Sequence, residues 1–566
     1  MNFESFKKDF FINLKNNNNN CFKLIENNQK LIQEYLTEKS NEKNVDIFVN
    51  EIIDTLLENK INFKFIEKVL KNENLNYVFS VFKKREALIK ACKYEKIDIA
   101  KWLITLDMDP CVQDEEGMTA MMYAAKNKKL IDVVSKYKND SLCCNLEDKN
   151  GNNALFHSVQ NLQALLQLIN SVDINHLNKQ HETVLLYCCK NEIYEPLKTL
   201  INRQGIDLSI VDKESKTALM YLVENEREKE INDISVVQLG NNFNYINDNG
   251  ESAISIFVRK MYRKDGQEEK KVDYTKMANI LVSFVKSEVD FNIIVDEDGN
   301  TALMVFLIAR DINTFKFVLR YSKDLDFSQK NIYGENATSL FFKTNGTSPY
   351  EKMLVERHSS IDYNFIDPVT NDTVLMLAIR NNSSLIDDII KNSNGSINNI
   401  NSSKESALVL AAKTNNVNCV KILLTQNINV NQQDNTGNTA LHYAVGNEDI
   451  AMVQDLKEHG ADINIKNNEN MSPYEMAKTS KNQNLLKAIT DSLSTPPELG
   501  KTVTGKVSNS SKLNNYSDNT LSKFYIEMEY KGEIQNIISK VYDKYNDYIR
   551  KENESEKRIL YSKYCC

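Results

Sequence analysis

The sequence of 566 residues has no long apolar run. Its longest strongly apolar stretch, residues 302–309, is far shorter than the roughly 20 residues that span a bilayer. Residues 1–9 include acidic side chains and no apolar core of the length that a signal peptide needs. We therefore expect a soluble chain that is neither secreted nor inserted in a membrane through a helix.

The chain also has little of what nucleic-acid-binding proteins and many enzymes need. Its 78 acidic side chains outnumber the 70 basic ones, and a formal charge of -8 argues against a protein that wraps DNA or RNA. Only six histidines occur, and none lies in an HExxH motif or beside a nucleophile with a plausible base. No GxGxxG, kinase or hydrolase motif occurs in the sequence. We predict no enzymatic activity, no cofactor, no metal site and no nucleic-acid partner.

Cysteine is infrequent and never forms a CxxC motif. Ten cysteines, several of them adjacent, fit neither a zinc framework nor a set of structural disulfides. Two interpretations are open for the adjacent Cys188 and Cys189: they perform redox or metal chemistry, or they are small residues at a tight contact between helices. The second interpretation is favoured because a buried cysteine acts as a small hydrophobic residue. Cys143 and Cys144 are interpreted in the same way, and the compartment is predicted to be reducing: the cytoplasm, with the nucleus as the alternative.

What the sequence does contain is a repeat. A three-residue pattern recurs through most of the chain: a small polar residue, then Ala, Val or Pro, and then usually an apolar residue. All but one of the successive spacings lie between 30 and 37 residues, and the exception is 49. This regularity is typical of repeat proteins, in which each unit packs on the next. The second residue of the pattern stands at Ala87, Ala120, Ala154, Val184, Ala218, Ala253, Ala302, Ala337, Val374, Ala407, Ala440 and Pro473.

Each unit opens with the signature of a tight turn. Gly or a polar substitute stands two positions before the small polar residue, and in ten of eleven units Asp or Asn stands three positions earlier still. These residues bond their own backbone or adopt positive φ. The small polar residue then lies where a helix needs an N-cap oxygen, and two short apolar segments at helical spacing follow. The glycine position is held by Gly117, Gly151, His181, Ser215, Gly250, Gly299, Gly334, Asn371, Lys404, Gly437 and Asn470.

The best-preserved unit identifies a family. It reads Asp-Asn-Thr-Gly-Asn-Thr-Ala-Leu-His-Tyr-Ala over residues 434–444 and closes with His-Gly-Ala-Asp-Ile-Asn over residues 459–464. This unit resembles an ankyrin repeat, and residues 114–125 and 296–303 are similar. The resemblance covers about residues 83–490, or twelve units, of which three or four are strong. It implies an all-α fold: an ankyrin-repeat solenoid of helix-turn-helix units with short turn or hairpin fingers, one continuous core and a concave surface.

The two ends of the chain differ from the repeats. Residues 1–82 contain helical runs without the turn signature and are predicted to form a helical N-terminal cap on the first unit. Residues 83–490 are the predicted ankyrin-repeat solenoid, residues 491–520 a flexible linker, and residues 521–566 a C-terminal amphipathic helix and tail. One face of this helix is predicted to pack back on the repeats or to bind a partner; it holds Ile534, Ile537, Ile538, Val541, Tyr545 and Tyr548.

The family resemblance implies a non-catalytic scaffold or adaptor that binds proteins along its concave surface. In the family, contacts come mainly from the fingertip residues around the turn glycine and from the exposed side of the inner helix. Acidic fingertips would favour a basic patch on the partner. Carried over to the best-matching units, the resemblance nominates Glu115, Glu116, Met118, Lys126 and Asn127; Glu297, Asp298 and Asn300; and Asn435, Thr436 and Asn438.

Two other functions are kept as alternatives. The chain ends in Cys565 and Cys566, and this ending resembles the cysteine pair that some Rab-type GTPases carry for geranylgeranylation. Lipidated, the two residues would attach the chain to a membrane as a peripheral or trafficking factor. Unmodified, they would be an ordinary chain end. The second alternative is a repeat-based inhibitor that covers the active site of an enzyme.

Overall fold

The structure of the chain is a computed structural model. It describes residues 2–37, 42–58, 62–237, 243–262, 272–344, 354, 361–393, 396–490 and 532–564. The chain divides into two compact units. Unit 1 is Met1–Asn225 with Lys229–Val237, and unit 2 is Glu226–Glu228 with Gln238–Cys566. Among the described residues the extended backbone pairs only in isolated bridges, such as Ile294 with Thr301, so the fold is all-α.

Unit 1 begins with six helices ahead of the first repeat. The fourth of them, α4, packs on α6 and on α7, the first repeat helix, as expected of a helical segment next to the repeats. The helices are α1 (Phe3–Lys15), α2 (Asn20–Asn27), α3 (Gln29–Leu36), α4 (Glu42–Glu58), α5 (Phe63–Leu70), α6 (Asn76–Lys83), α7 (Ala87–Lys93), α8 (Ile97–Leu103), α9 (Ala120–Lys126), α10 (Ile131–Tyr137), α11 (Ser141–Cys144), α12 (Ala154–His157), α13 (Leu162–Leu168), α14 (Val184–Lys190), α15 (Leu197–Ile201), α16 (Ala218–Glu224) and α17 (Glu228–Val237).

Unit 2 continues the same alternation of first and second helices and adds a long helix at its end. Its helices are α18 (Ala253–Tyr262), α19 (Tyr274–Lys286), α20 (Ala302–Ile308), α21 (Ile312–Tyr321), α22 (Ala337–Thr344), α23 (Val374–Arg380), α24 (Ile386–Asn392), α25 (Ala407–Lys413), α26 (Val417–Leu424), α27 (Ala440–Gly446), α28 (Ile450–Glu458), α29 (Pro473–Thr479), α30 (Gln483–Thr490) and α31 (Gly532–Tyr564). The predicted linker, residues 491–520, lies outside the described residues, and the predicted division into cap, solenoid, linker and tail stays a prediction.

The predicted helix starts are confirmed in every repeat. Each of the twelve positions from Ala87 to Pro473 is the first residue of a helix. In most repeats the residue before it caps the helix, as where the Thr119 hydroxyl accepts a hydrogen bond from the backbone N–H of Met122 at 3.2 Å. A side-chain cap satisfies a donor that has no partner inside the helix.

The predicted turns are confirmed as well. All eleven residues at the glycine position have positive φ, including His181 at 60° and Lys404 at 57°. The Asp or Asn that precedes them accepts hydrogen bonds from the turn backbone. Asp434 Oδ1, for instance, accepts from the N–H groups of Thr436 at 2.9 Å and Asn438 at 3.0 Å. The turn is therefore built by side-chain-to-backbone bonds within five residues.

The interiors of both units are made of the predicted helix contacts. Ala124, Ala125, Cys188 and Cys189 are fully buried in the first helices of their repeats. Burial raises the pKa of both Cys188 and Cys189, so these thiols stay protonated and act as small packing groups. The packing interpretation of Cys188 and Cys189 is confirmed.

The same interpretation is wrong for Cys143. Its sulfur is bonded to that of Cys111, 32 residues earlier, with the two Cα atoms 4.9 Å apart. The expectation that no disulfide forms was drawn from spacing along the sequence, whereas the stacking of successive repeats brings Cys111 next to α11. Cys144 remains a free, buried thiol.

The long helix α31 packs on α19 and α21, the second helices of two successive repeats. Of the two alternatives for this helix, the structure shows packing back on the repeats. The predicted face is partly wrong, because Ile537 and Tyr548 are exposed while Tyr542, which the sequence pattern did not include, is buried. The buried line is set by where α19 and α21 supply contacts rather than by hydrophobicity along α31.

In some repeats a second link ties the turn to the first helix of the same repeat. The hydroxyls of Tyr123 and Tyr221 donate to Asp114 at 2.8 Å and Asp212 at 2.6 Å, in each case nine residues earlier. In one repeat the same position is a histidine, and His157 Nε2 lies 2.9 Å from Asp148 Oδ2. Burial lowers the pKa of His157 to about 4 even though Asp148 opposes this, so the ring is neutral at pH 7.

We predict that two turn glycines differ in their tolerance of alanine. A Cβ on Gly437 would lie 2.8 Å from the backbone N of Asn468, whereas one on Gly250 would meet nothing within 4 Å. Both substitutions carry the cost of positive φ, about 1 kcal/mol. Gly437→Ala should lower the free energy of unfolding by roughly a further 1–2 kcal/mol because two backbones must separate. Urea unfolding of the two variants checks this, and equal midpoints would contradict it.

We predict that acid destabilises unit 1 through His157. Its pKa is about 4 in the folded chain and near 6.5 unfolded, so between these values the unfolded chain binds more protons and stability falls as pH falls. The loss from pH 7 to pH 5 should be about 2 kcal/mol. His157→Tyr introduces the tyrosine that stands at this position in the repeats with Tyr123 and Tyr221, and it removes this titration, so the urea midpoint of the variant should change less over that range. Parallel pH profiles for the variant and the native chain would refute the assignment.

Candidate functional site

The turns of successive repeats form a ridge along each unit, which we call the finger ridge. It is held by backbone hydrogen bonds from one turn to the next, for example from Lys149 N to Glu116 O at 2.9 Å and from Asn468 N to Thr436 O at 3.0 Å. The nominated contact residues belong to this ridge or to the end of the first helix beside it. Where such bonds occur the ridge is a rigid platform, because a turn is bonded both to itself and to its neighbour.

In unit 1 the nominated residues fall into two groups. Glu115, Glu116 and Lys126 are exposed and Asn127 is half-buried, whereas the side chain of Met118 is buried. Glu116 also pairs with Lys149 of the next turn, at 3.1 Å between Oε1 and Nζ.

A cavity of about 520 Å³ lies beside this part of the ridge. Glu116, Met118 and Lys126 line it together with Asp148 and His157, among others. Because His157 is neutral at pH 7, the charged groups of the wall are acids and lysines in comparable number. The arrangement suits a polar ligand group rather than a strongly charged one.

In unit 2 the nominated Glu297 side chain reaches solvent, whereas the nominated Asn300 side chain is buried. Glu297 is exposed, and Asp298 is half-buried and accepts a hydrogen bond from the Tyr333 hydroxyl at 3.1 Å. Asn300 is buried, where its Nδ2 donates to Asp296 at 2.8 Å and its Oδ1 accepts from Asn331 at 2.9 Å. Asn300 therefore joins two successive turns.

The third nominated group is also bonded within the ridge. Asn435 Nδ2 donates to the carbonyl oxygen of Ser402 at 3.2 Å, and Asn438 Oδ1 accepts from Asn467 at 2.8 Å. The Thr436 hydroxyl donates to Asp434 of its own turn at 2.7 Å. Asn435 and Thr436 nevertheless remain exposed on their outer side.

A cavity of about 900 Å³ lies in unit 2 between two successive turns and α18. We call it the acidic cavity. It contains two of the nominated residues, Glu297 and Asp298. Its apolar wall includes Ile246 and Ile294, which are 50% and 47% exposed, together with Val258 of α18.

The apolar part of the acidic cavity is not among the residues predicted from the sequence. Each isoleucine lies just before the turn, Ile246 one residue before Asn247 and Ile294 two residues before Asp296. An apolar side chain in the extended arm of a finger has no helix face to pack on, and that position was the available signal. Among the described lining residues carboxylates predominate: Glu251, Asp296, Glu297 and Asp298 accompany one cation, Arg259, which pairs with Glu251.

The described residues offer one group with the donor atoms of a metal site. Cys111, Asp140 and Cys143 bring one ligand atom each within 4.8 Å of one another. A cysteine binds a metal ion as a thiolate, whereas the sulfurs of Cys111 and Cys143 are bonded to each other in a disulfide. The group therefore does not fit a metal ion in this state.

The two membrane-related predictions have different outcomes. Cys565 and Cys566 lie outside the described residues, so their lipidation stays a prediction. Among the helices of the described ranges, none combines the length and the hydropathy that crossing a bilayer requires.

Two comparisons with known proteins found matches. The family model described as ankyrin repeats (3 copies) matches residues 12–137, 88–176 and 375–467, so its first match begins inside the predicted cap. The crystal structure of the ankyrin repeat domain of Bcl-3, a member of the IkappaB protein family, aligns with 18% identity and a TM-score of 0.31, over 43% of this chain and 99% of that one. No curated protein matches the sequence. With its repeated turns and helix pairs, this chain contains ankyrin repeats, which the family model matches over residues 12–176 and 375–467.

Proposed function

We propose that the chain is a non-catalytic scaffold or adaptor that binds a basic segment of a partner protein in the acidic cavity of unit 2. Ankyrin repeats generally mediate protein–protein interaction. The observation that carries the proposal is the pairing of exposed isoleucines with an excess of carboxylates in one concave site of about 900 Å³.

The chemistry of the cavity selects the kind of residue that enters it. A lysine or arginine has an apolar stem and a charged end. The stem can lie against Ile246 and Ile294 while the charge approaches Glu297, whose carboxylate is exposed at the rim. Charge complementarity of this kind speeds association and disfavours acidic partners.

Binding is favoured over catalysis by the state of the nucleophiles. Burial raises the pKa of the thiols of Cys92, Cys188 and Cys189, and burial lowers that of His157, which is paired with Asp148. A protonated, buried thiol is a poor nucleophile. The membrane-attached factor and the enzyme inhibitor remain alternatives that no contact of the described residues favours.

We predict that peptide display on the full-length chain enriches sequences with Arg or Lys beside an aliphatic residue. Glu297→Lys reverses the charge at the rim of the cavity and should weaken the selected peptides by roughly tenfold or more. The matched control is Glu469→Lys, which changes an exposed acidic residue in another finger of the same unit. Selection without a basic preference, or equal weakening by both variants, would contradict the proposal.

We propose the cytoplasm as the compartment, with the nucleus as the alternative. Several described cysteines are free and buried, which suits a reducing compartment, whereas the Cys111–Cys143 bond suits an oxidising one. Cells are quenched with acid and treated with one alkylating reagent, which marks thiols; the protein is then reduced and treated with a second reagent, which marks cysteines that were in disulfides. In a reducing compartment the Cys111–Cys143 bond is open, so both residues should carry the first reagent. Cys144 is the internal control for a thiol. If Cys111 and Cys143 carry the second reagent while Cys144 carries the first, the chain lies in an oxidising compartment.

A further inference from the structure

The helix α31 occupies a groove on the side of unit 2 formed by the second helices α19 and α21. The residues that line the acidic cavity come from turns and from the first helix α18. The groove is therefore a separate surface, and its role is independent of the proposed binding of a basic segment.

The centre of the groove is an aromatic and polar contact. Tyr542 of α31 is buried and stacks on Phe317 of α21, with ring centroids 4.1 Å apart and an interplanar angle of 12°. The Tyr542 hydroxyl lies 3.1 Å from the Thr314 hydroxyl. Tyr545 meets the edge of the Phe317 ring at 5.5 Å, and Lys286 of α19 lies over the Tyr545 ring at the same distance. Aromatic stacking with a bonded hydroxyl fixes both the position and the rotation of α31.

The end of the groove holds a buried carboxylate. Asp311 accepts hydrogen bonds from the Tyr262 hydroxyl of α18 at 2.8 Å and from Thr314 N at 3.0 Å. From α31, Gln535 Nε2 donates to it at 3.3 Å, and Tyr542 is the titratable group on that side. Burial raises the pKa of Asp311, and Gln535 of α31 is one of the groups that cover it.

We propose that this groove is an exchangeable helix-binding site, in which α31 of a second copy of the chain can replace the chain's own α31. A second copy brings the same tyrosines, glutamine and isoleucine, so every contact of the docked helix is available between molecules. Exchange of an identical element between protomers is a low-cost route to a dimer.

Two features of the chain support exchange. Thr490 and Gly532 are separated in sequence by 41 residues, which could extend to roughly 130 Å. A connection of this length lets α31 leave its own groove without any repeat helix unfolding. Among the described side chains of α31, only Ile538 and Tyr542 are buried, and the contacts shown for the docked helix lie between Gln535 and Asn546, in its N-terminal half.

Complementation between two full-length variants tests the proposal. Tyr542→Ala damages the helix and leaves the groove intact, whereas Phe317→Ala damages the groove and leaves the helix intact. Each variant alone should be monomeric at micromolar concentration. Mixed, they should form a heterodimer with the helix of the Phe317→Ala copy in the groove of the Tyr542→Ala copy, at least tenfold above either variant alone. Light scattering and tagged co-purification of the two purified chains measure this.

The matched control is Ile537→Ala, which changes an exposed residue of the same helix. Mixed with Phe317→Ala, it should give no such enrichment, since its own helix still fills its groove. A second measurement keeps the test valid if either variant folds poorly. A labelled peptide of residues 532–551 should bind full-length Tyr542→Ala at least tenfold more tightly than it binds the native chain, because the groove of the variant is open. Adding Phe317→Ala to the Tyr542→Ala chain should abolish the binding of the peptide. A monomeric mixture together with no peptide binding would overturn the proposal and leave α31 as an internal element only.

Discussion

The structure depends on the fact that most of its repeat helices are too short to be stable alone. α9, α14 and α16 have seven residues each, about two turns, and isolated helices of this length do not hold in water. Each helix gains its stability by burying an apolar face on the next repeat. This requirement explains why residues such as Ala124 and Cys188 occupy the contact positions: a small side chain lets two helices approach closely.

The turns supply the second constraint, because they set where each helix begins. The carboxylate or amide at the start of the turn binds backbone N–H groups, and the residue at the glycine position takes positive φ whether it is Gly437 or His181. A bulky residue at positive φ costs free energy locally. Neighbouring repeats compensate in several turns, since backbone hydrogen bonds along the finger ridge hold the turns at residues 148–151, 401–404 and 434–437 from both sides. Degenerate units can therefore keep the geometry of well-preserved ones.

Some polar residues of the finger ridge stabilise the turns, and others are exposed to a partner. Asn300 and Asn438 are bonded to neighbouring turns and hold the ridge together, whereas Glu297 extends into solvent. In unit 2 the exposed isoleucines beside Glu297 add an apolar wall. The same unit carries α31 on its second helices, so one stack of repeats presents one surface that is open and another that is already occupied.

Local features were predictable from the sequence, and distant contacts were not. Helix starts, caps and turns follow from residues within about six positions of one another, so the positions from Ala87 to Pro473 already determined them. The burial of Asn300, the Cys111–Cys143 bond and the rotation of α31 about Tyr542 depend on residues brought together from 30 to more than 200 positions apart. Only the stacking of repeats decided these contacts, because the energy of burial is set by what lies on the other side of the interface.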